Sequence, residues 1–461
     1  MKLTDIRTIY FVGIGGIGMS AIARYFNGRG VAVHGYDRTA TPLTKALEAE
    51  GMNIHYQEEV AAIPEGVDLV VYTPAVPASH AELQYFHRHN YPVKKRAEVL
   101  GIISRSKKTI AIAGTHGKTT TTSICTHLLR VGGVDCTAFL GGIAQNFGSN
   151  FIEGSSDWVV VEADEFDRSF LHLSPDIAGI LSMDADHLDI YENAEQVLET
   201  GFKAFAKKMK PGGKIWVQDD YKQHLVGFKN VESYGIKKGA YQVDNIRVED
   251  GYFVFDFSNP KISIKNLQFT MAGHHNVENA CLAITIALDL GVQPERIREG
   301  LKTFKGIQRR FELIYRDEQA AYYDDYAHHP TELRAAIKAA RTLFPDKKIT
   351  GIFQPHLFSR TKDFANGFAA ALDQLDEVLL LEIYPARELP MEGVNSKMLQ
   401  QKMKNQQVRI VELNEVMEVL PEYDLQVLLT LGAGDISTLV PKIKDYLSTM
   451  KGIYQYTDKS L

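Results

Sequence analysis

A strand, a glycine turn and a helix start follow one another between Lys107 and Leu129, and this stretch constrains the fold most strongly. The β-branched, apolar run at 109–113 predicts a buried strand, and the sequence GTHGKT follows at 114–119, before a segment with helical patterning. Such a turn aims several unpaired backbone N–H groups at one point, which is how many proteins hold phosphate. The sequence therefore predicts a nucleoside triphosphate site.

Two side chains in this turn favour a triphosphate over a simple anion. Lys118 would place a point charge on the outer phosphates, and the Thr119 hydroxyl suits a Mg²⁺ ligand. The standard phosphate loop would need glycine at position 112, where this chain has Ile112. An ordinary strand-to-helix turn that contains Gly-Lys-Thr is the alternative interpretation.

Length and charge bound the class of protein. A chain of 461 residues exceeds what one hydrophobic core usually serves, so two to three domains are expected. The net charge of −6 gives no support for nucleic acid binding and offers no basic face for a membrane. We therefore expect small molecules as partners, with neither nucleic acid binding nor membrane insertion.

The cysteines and the apolar segments predict a compartment. Cys125, Cys136 and Cys281 are odd in number and have no CxxC spacing, which favours a reducing environment. No stretch approaches eighteen consecutive apolar residues, and the first eight residues are too polar for a signal sequence. We expect a cytoplasmic protein.

A second glycine loop lies near the start of the chain. Residues 6–12 predict a buried parallel strand that runs into GIGGIG at 13–18, and a second strand, 31–36, ends at Asp37. This pattern fits the dinucleotide fingerprint, in which the acid binds a ribose. A nucleotide-sugar diphosphate fits the same loop, and Thr73 follows a strand that ends at the same sheet edge. A nicotinamide dehydrogenase and a nucleotide-sugar enzyme both remain open at this point.

Acidic residues follow two further predicted strands. The strand at 157–161 delivers Glu162, and the strand at 177–182 leads into Asp184, Asp186, His187 and Asp189. Carboxylates at a sheet edge near a phosphate loop usually hold the metal of a nucleotide site. Mg²⁺ held by Thr119, Glu162 and His187 is the hypothesis, and charge on a solvated turn is the alternative.

Three other stretches leave alternatives open. The glycine- and asparagine-rich segment 141–150 predicts either a flexible linker or a loop that lines a substrate. Asn276 and Asn279 precede a helix expected at 281–290, so they either cap it or reach a nucleotide base. The stretch 211–269 alternates short β-like runs with turns and predicts a sheet meander.

The last third of the chain predicts a second open sheet. Strands near 322, 349, 377 and 426 each end in a polar loop, which is typical of an open α/β sheet with its functional edge on one side. Arg309 and Arg310 lie where this domain begins, and paired arginines suit phosphate binding.

Taken together, these motifs resemble the Mur ligases of peptidoglycan synthesis. The motifs that carry the resemblance run in family order through nearly the whole chain: GIGGIGMSAIA, AGTHGKTTTT, VEADEFDRSFL, DADHLD, HHNVENA, GIQRRFE, DDYAHHPTEL, FQPHLFSRTKDF, YPARE and GAGDI. The resemblance implies an α/β protein of three domains. These are an N-terminal Rossmann-like domain for the UDP-sugar (1–105), a central ATPase-like domain with a mixed sheet (106–307) and a Rossmann-like C-terminal domain that presents the amino acid (308–461).

The resemblance also implies an activity and a set of site residues. The expected reaction joins L-alanine to UDP-N-acetylmuramate at the expense of ATP, with Mg²⁺ or Mn²⁺, through an acyl phosphate. The implied ATP-binding residues are Gly114, Thr115, His116, Gly117, Lys118, Thr119, Thr120, Asn276, Asn279 and Arg310. The implied UDP-sugar contacts are Gly15, Gly16, Ile17, Gly18, Met19, Ser20, Asp37, Thr73, His116 and Asn146. Amino-acid contacts are expected from Tyr326, His328 and Arg360, and catalytic roles from Lys118, His187, His328 and Arg360.

One departure and three rival interpretations accompany the resemblance. Some members have arginine where this chain has Leu357, so the grip on the alanine carboxylate is expected to rest on Arg360 or to be shared with Arg309 or Arg310. Within the family, the rival is the recycling ligase that joins a whole tripeptide to the same sugar nucleotide. Outside it, the rivals are the dehydrogenase and a nucleotide-switched binding protein.

Overall fold

In the part of the chain that the structure describes, β-sheets of five, ten and six strands alternate along the sequence with helices, which confirms the predicted α/β class. The computed structural model describes residues 3–184, 194–249, 252–386 and 388–457, and within these ranges the side chains of 166, 167, 194 and 450–457 are not described. The three sheets occupy the ranges of the three predicted domains, whose boundaries stay a prediction.

The first sheet is fully parallel, with strand order β3-β2-β1-β4-β5. Its central strand is apolar on both faces, because helices cover both sides of a parallel sheet. The strands are β1 (Thr8–Val12), β2 (Ala32–Tyr36), β3 (Asn53–His55), β4 (Leu69–Tyr72) and β5 (Val93–Lys95). The helices are α1 (Ile17–Asn27), α2 (Pro42–Ala49), α3 (Ala81–Arg88) and α4 (Arg96–Ser106).

The second sheet has the order β15-β14-β13-β12-β11-β10-β6-β9-β7-β8. Its strands are β6 (Lys108–Ala113), β7 (Thr137–Ala144), β8 (Ser149–Ile152), β9 (Trp158–Ala163), β10 (Ile177–Ile180), β11 (Lys214–Gln218), β12 (Val231–Ile236), β13 (Tyr241–Glu249), β14 (Tyr252–Ser258) and β15 (Ser263–Phe269). Its helices are α5 (Lys118–Val131), α6 (Ala194–Gln196), α7 (Lys203–Ala206), α8 (His274–Asp289) and α9 (Pro294–Thr303).

The third sheet has the order β16-β17-β21-β18-β19-β20, and only its edge strand β16 is antiparallel. Its strands are β16 (Glu312–Arg316), β17 (Ala321–Asp325), β18 (Ile349–Phe353), β19 (Glu377–Leu380), β20 (Val408–Ile410) and β21 (Val427–Leu431). Its helices are α10 (Pro330–Leu343), α11 (Phe358–Asp363), α12 (Ala365–Leu372), α13 (Ser396–Gln400), α14 (Val416–Val419) and α15 (Leu439–Thr457).

Several local expectations were wrong. Helix α8 begins at His274 rather than at 281, so Asn276 and Asn279 lie inside the helix and do not cap it. The segment 141–150 is mostly the β7–β8 hairpin rather than a flexible linker, and its role in lining a substrate stays a prediction. The predicted meander contains parallel pairs, since β11, β12 and β13 run in the same direction.

The described chain divides into two compact units. The first comprises Met1–Asn245, Phe255–Gln268 and Glu278–Lys305, and the second comprises Ile246–Val254, Phe269–Val277 and Gly306–Leu461. Within the described residues, no helix has the length and apolar character that a bilayer crossing requires.

A shared core joins the first sheet to the second inside the first unit. Tyr25 of α1 packs against Phe139 of β7 and Phe151 of β8, with ring centroids 5.6 and 6.2 Å apart. All three rings are less than 9% exposed and belong to one apolar cluster. Helix α1 is therefore fixed against the β7–β8 hairpin by buried aromatic contacts.

Candidate active site

The predicted phosphate loop begins at Gly114, directly after β6. Gly114 has φ +143°, and a β-carbon there would lie 2.8 Å from Cβ of Leu181, so only glycine fits. Gly117 takes a left-handed conformation (φ 80°) and precedes Lys118, the first residue of α5. Ile112, which occupies the position of the first glycine in the standard phosphate loop, is fully buried within β6. That position therefore belongs to the strand and not to the turn.

Lys118, the first residue of α5, forms ion pairs with two carboxylates that follow β9. Its Nζ lies 2.6 and 2.9 Å from the two carboxylate oxygens of Glu165 and 3.6 Å from Asp164. Burial by itself would lower the pKa of the ammonium group, but Glu165, Asp164 and Glu162 together raise it. Lys118 therefore keeps its positive charge at a largely buried position at the end of the phosphate loop.

Thr119 and Glu162 form the second contact of this site. The Thr119 hydroxyl donates to the Glu162 carboxylate, with both oxygens at 3.0 Å. Glu162 belongs to β9, which runs to Ala163, whereas the sequence predicted that the strand ended before it. Neighbouring Gly141 keeps space open here, because a β-carbon would lie 2.7 Å from the Glu162 carboxyl carbon and 2.8 Å from Thr119 Oγ1.

Hydroxyl and carboxylate oxygens beside a phosphate loop fit the ligand preference of Mg²⁺. Thr119 and Glu162 of the predicted metal set come together, and the third member, His187, lies outside the described residues. In the described ranges, no three His, Cys, Asp or Glu side chains cluster in a way that could hold a metal. The metal set stays a prediction.

The rest of the loop contacts the segment after β10. Thr115 Oγ1 lies 2.7 Å from the Ser182 hydroxyl, which accepts a hydrogen bond from the His116 amide at 3.1 Å. The His116 imidazole lies 4.0 Å from the Asp184 carboxylate. Thr120 is buried in the first turn of α5.

The two asparagines of α8 have different surroundings. Asn279 lies against the phosphate loop, since a β-carbon on Gly117 would be 2.8 Å from its Oδ1. Asn276 donates to the backbone carbonyl of Ala272 at 2.7 Å. Of the two, Asn279 is thus the one that the structure places beside Gly117.

The first glycine loop opens α1 in the same compact unit. The Gly15 amide donates to the Asp37 carboxylate at 2.7 Å, and Thr73 lies beside Gly13, 3.0 Å from where a β-carbon would be. The residues that follow are the predicted Gly16, Ile17, Gly18, Met19 and Ser20, and the helix begins at Ile17 without a side-chain cap. Its first N–H groups therefore form an anion-binding end of the kind that a diphosphate fits.

Sequence reasoning missed Arg96 as a site residue. A β-carbon on Gly18 would lie 3.0 Å from the Arg96 side chain. Arg96 also lines a cavity of about 10 Å³ together with Glu162 and Asp164. Among the described residues its guanidinium forms no ion pair. Its place directly after β5, at the carboxyl edge of the sheet, is the signal that could have identified it.

The β7–β8 hairpin carries two asparagines, of which Asn150 contacts α1 and Asn146 contacts the end of α9. Asn146 donates to the Thr303 carbonyl at 2.8 Å and accepts from the Lys305 amide at 2.7 Å. Asn150, which the sequence did not single out, is fully buried and contacts the first turn of α1. The UDP-sugar role of Asn146 stays a prediction.

The second compact unit brings Tyr326 and His328 together after β17. Their rings lie 5.2 Å apart, and His328 Nδ1 is 3.2 Å from the Glu332 carboxylate. Burial lowers the pKa of the His328 imidazole despite that carboxylate, and the Arg360 guanidinium lowers it further. A neutral imidazole at pH 7 follows.

Arg310 and Arg360 of this unit form no ion pair among the described residues, although the Arg310 charge acts on the Asp325 carboxyl, where it opposes the rise in pKa that burial causes. Arg310 lies over the Tyr326 ring, 5.5 Å from its centroid. Arg360 belongs to α11, which Leu357 precedes with φ 70°, an uncommon conformation for a non-glycine residue. Cations of this kind suit carboxylate or phosphate groups of a ligand.

Comparisons with known proteins agree with this arrangement. Residues 8–108 match the Mur ligase family catalytic domain, residues 112–287 the Mur ligase middle domain, and residues 309–440 the Mur ligase glutamate ligase domain. The fold and these matches define the class, and the chain belongs to the Mur ligase family.

Within that family, the chain is similar to enzymes named UDP-N-acetylmuramate–L-alanine ligase. The enzyme of Flavobacterium psychrophilum is 48% identical over 456 residues, which cover 97% of this chain and 99% of that one. The enzyme of Porphyromonas gingivalis (strain ATCC 33277) is 45% identical, with 96% and 100% covered.

Solved structures extend the comparison. The UDP-N-acetylmuramate–alanine ligase of Thermotoga maritima matches with a TM-score of 0.83 at 30% identity, and 96% of this chain and 99% of that chain are covered. A murein peptide ligase of Psychrobacter arcticus matches with a TM-score of 0.68 at 22% identity, covering 94% and 97%, which supports the fold alone.

Proposed function

We propose that this protein is an ATP-dependent ligase that joins L-alanine to the lactyl carboxylate of UDP-N-acetylmuramate, in the synthesis of peptidoglycan precursors. The observation that carries the proposal is the convergence of Lys118, Thr119 and Glu162 on the phosphate loop, in a chain whose relatives bear that activity. The three unbridged, buried cysteines agree with a cytoplasmic location, which is part of the proposal.

The chemistry explains why ATP is needed. A carboxylate does not react with an amine, so one of its oxygens first attacks the γ-phosphorus of ATP, and ADP leaves. The amino group of L-alanine then attacks the acyl carbon, and phosphate leaves with the oxygen that came from the carboxylate. The products are the amide, ADP and phosphate.

We assign ATP binding to the loop 114–120, with Asn276, Asn279 and Arg310 as further contacts. Lys118 would neutralise charge that develops on the transferred phosphoryl group. Thr119 and Glu162, with His187 from the family resemblance, would hold Mg²⁺, which when bound supplies Lewis-acid stabilisation of the phosphate oxygens.

We assign the UDP diphosphate to the start of α1, with Asp37 and Thr73 at the same sheet edge. The Arg96 guanidinium, which lies beside Gly18 and forms no ion pair with any side chain that the structure describes, gives this site a positive charge that suits a diphosphate. Arg96 and Glu162 line the same small cavity, so a UDP-sugar bound beside Arg96 would have its acid on the side of the proposed ATP site.

We assign L-alanine to Tyr326, His328 and Arg360. The Arg360 guanidinium suits the alanine carboxylate, and Leu357 adds no second charge where some family members carry arginine. The neutral His328 imidazole can accept the proton that the alanine ammonium group must lose before it attacks.

The substrate requirement tests the proposal. We expect ADP release only when ATP, Mg²⁺, UDP-N-acetylmuramate and L-alanine are all present, measured with a coupled assay for ADP. Turnover that persists without the amino acid would favour the nucleotide-switched binding protein. A tripeptide that replaces L-alanine at equal efficiency would favour the recycling ligase.

A further inference from the structure

Asn150, the second residue of β8, makes three side-chain hydrogen bonds to helix α1. Its Nδ2 donates to the Ile17 carbonyl at 2.5 Å and to the Ser20 hydroxyl at 2.9 Å, and its Oδ1 accepts from the Arg24 guanidinium. These partners are spaced i, i+3 and i+7, so they lie along one face of α1. Asn150 is 0% exposed, so these bonds form away from water.

The hairpin that carries Asn150 also reaches the phosphate-loop site. Gly141 of its first strand, β7, lies against Glu162 and Thr119. The two strands pair antiparallel, with Phe139 opposite Phe151, and both rings pack on Tyr25 of α1. One short element thus contacts the metal-site residues through one strand and the start of α1 through the other.

We propose that Asn150 is a positioning residue that fixes the diphosphate-binding start of α1 against the sheet carrying the ATP site. This inference rests on the proposed function, in which α1 holds the UDP diphosphate. The carbonyl of Ile17 and the hydroxyl of Ser20 lie in the first turn, so a donor that holds both also sets the direction of the free N–H groups there. Transfer between two bound substrates requires their reacting atoms to be placed within a fraction of an ångström.

The Asn150→Asp variant tests this directly. It keeps the volume and the acceptor for Arg24, but it replaces the donated hydrogen bonds with a carboxylate oxygen against the Ile17 carbonyl. We expect UDP to bind at least about tenfold more weakly by calorimetry, and the KM for UDP-N-acetylmuramate to rise accordingly. ADP affinity should stay within about twofold of wild type, because the phosphate loop is not touched.

The matched control is Asn27→Asp, which adds the same charge at the other end of α1. Asn27 donates to the Glu50 carbonyl at 3.0 Å and lies at the last residue of the helix. This variant should bind UDP as the wild type does, and Asn150→Ala, which adds no charge, should weaken UDP binding as Asn150→Asp does.

The UDP and ADP affinities of the two Asn150 variants decide whether the inference holds. Weaker UDP binding with intact ADP binding in both Asn150 variants supports the inference. UDP binding within about twofold of wild type in either variant, equal losses for UDP and ADP, or failure of both variants to fold would overturn it. A wild-type protein that does not bind UDP would instead refute the proposed function.

Discussion

Replacement of Lys118 by alanine is expected to lower kcat by about 1,000-fold or more, because charge on the transferring phosphoryl group loses its nearest side-chain cation. UDP binding should be unchanged, since the described polar contacts of the Lys118 side chain are to Glu165 and Asp164 and not to α1 or its glycine loop. The measurement is single-turnover ADP formation, with UDP affinity determined on the same preparation.

Lys118→Ala also breaks the ion pair with Glu165, so its effect on stability has to be separated from its effect on turnover. Glu165 is 1% exposed, and removal of the lysine leaves its carboxylate buried without a cation, which is destabilising. Burial raises the pKa of Glu165, and removal of Lys118 takes away the charge that lowers it. The double variant Lys118→Ala, Glu165→Gln should regain stability but not turnover.

Lys107→Ala is the matched control for Lys118→Ala, because Lys107 also pairs with a carboxylate, that of Asp157, at 3.4 Å. Lys107 lies directly before the first residue of β6, whereas the phosphate loop follows the last residue of that strand. Activity within about twofold of wild type is expected there, as for a surface ion pair. Lys118→Ala with wild-type turnover would contradict the assignment of the loop to ATP.

Replacement of Gly141 by alanine is expected to raise the Mg²⁺ concentration for half-maximal activity by about tenfold or more. The added methyl group would collide with the Glu162 carboxylate and press on the Thr119 hydroxyl, so both would have to move. A Mg²⁺ titration of ADP release measures the effect, and thermal unfolding checks that the sheet is intact.

Gly235→Ala serves as the control for Gly141→Ala. A β-carbon at Gly235, in β12 of the same sheet, would lie 3.3 Å from Cγ of the flexible Lys238 side chain, which can give way. Its Mg²⁺ dependence should match the wild type. An unchanged Mg²⁺ requirement in Gly141→Ala would speak against Glu162 as a metal ligand.

The sequence predicted the parts of this fold that follow from local chemistry. The phosphate loop, the first glycine loop and the open third sheet are each encoded by a buried strand followed by turn and helix signals, which do not depend on distant residues. The same signals placed Lys118, Thr119 and Glu162 near one another, because the ends of parallel strands share a sheet edge.

What the sequence could not supply depends on tertiary contacts. The glycines and asparagines of 141–150 favour a loop by their intrinsic propensity. The pairing of β7 with β8 and the packing of β7 on α1 nevertheless stabilise a hairpin there. Asn150 carries no local signal of its role, since its partner Ile17 lies 133 residues away. Arg96 has only its place after β5 as a signal, and its contact with Gly18 comes from a distant segment. The parallel pairing of β11 to β13 likewise arises from the sheet as a whole.

The origin of the released phosphate tests the central claim most directly. UDP-N-acetylmuramate labelled with ¹⁸O in both lactyl carboxylate oxygens would be turned over with ATP and L-alanine, and the phosphate analysed by mass spectrometry. Phosphorylation of that carboxylate predicts one ¹⁸O atom in every phosphate and one in the amide carbonyl. Unlabelled phosphate would contradict an acyl phosphate, and with it the ligase reaction proposed for this site.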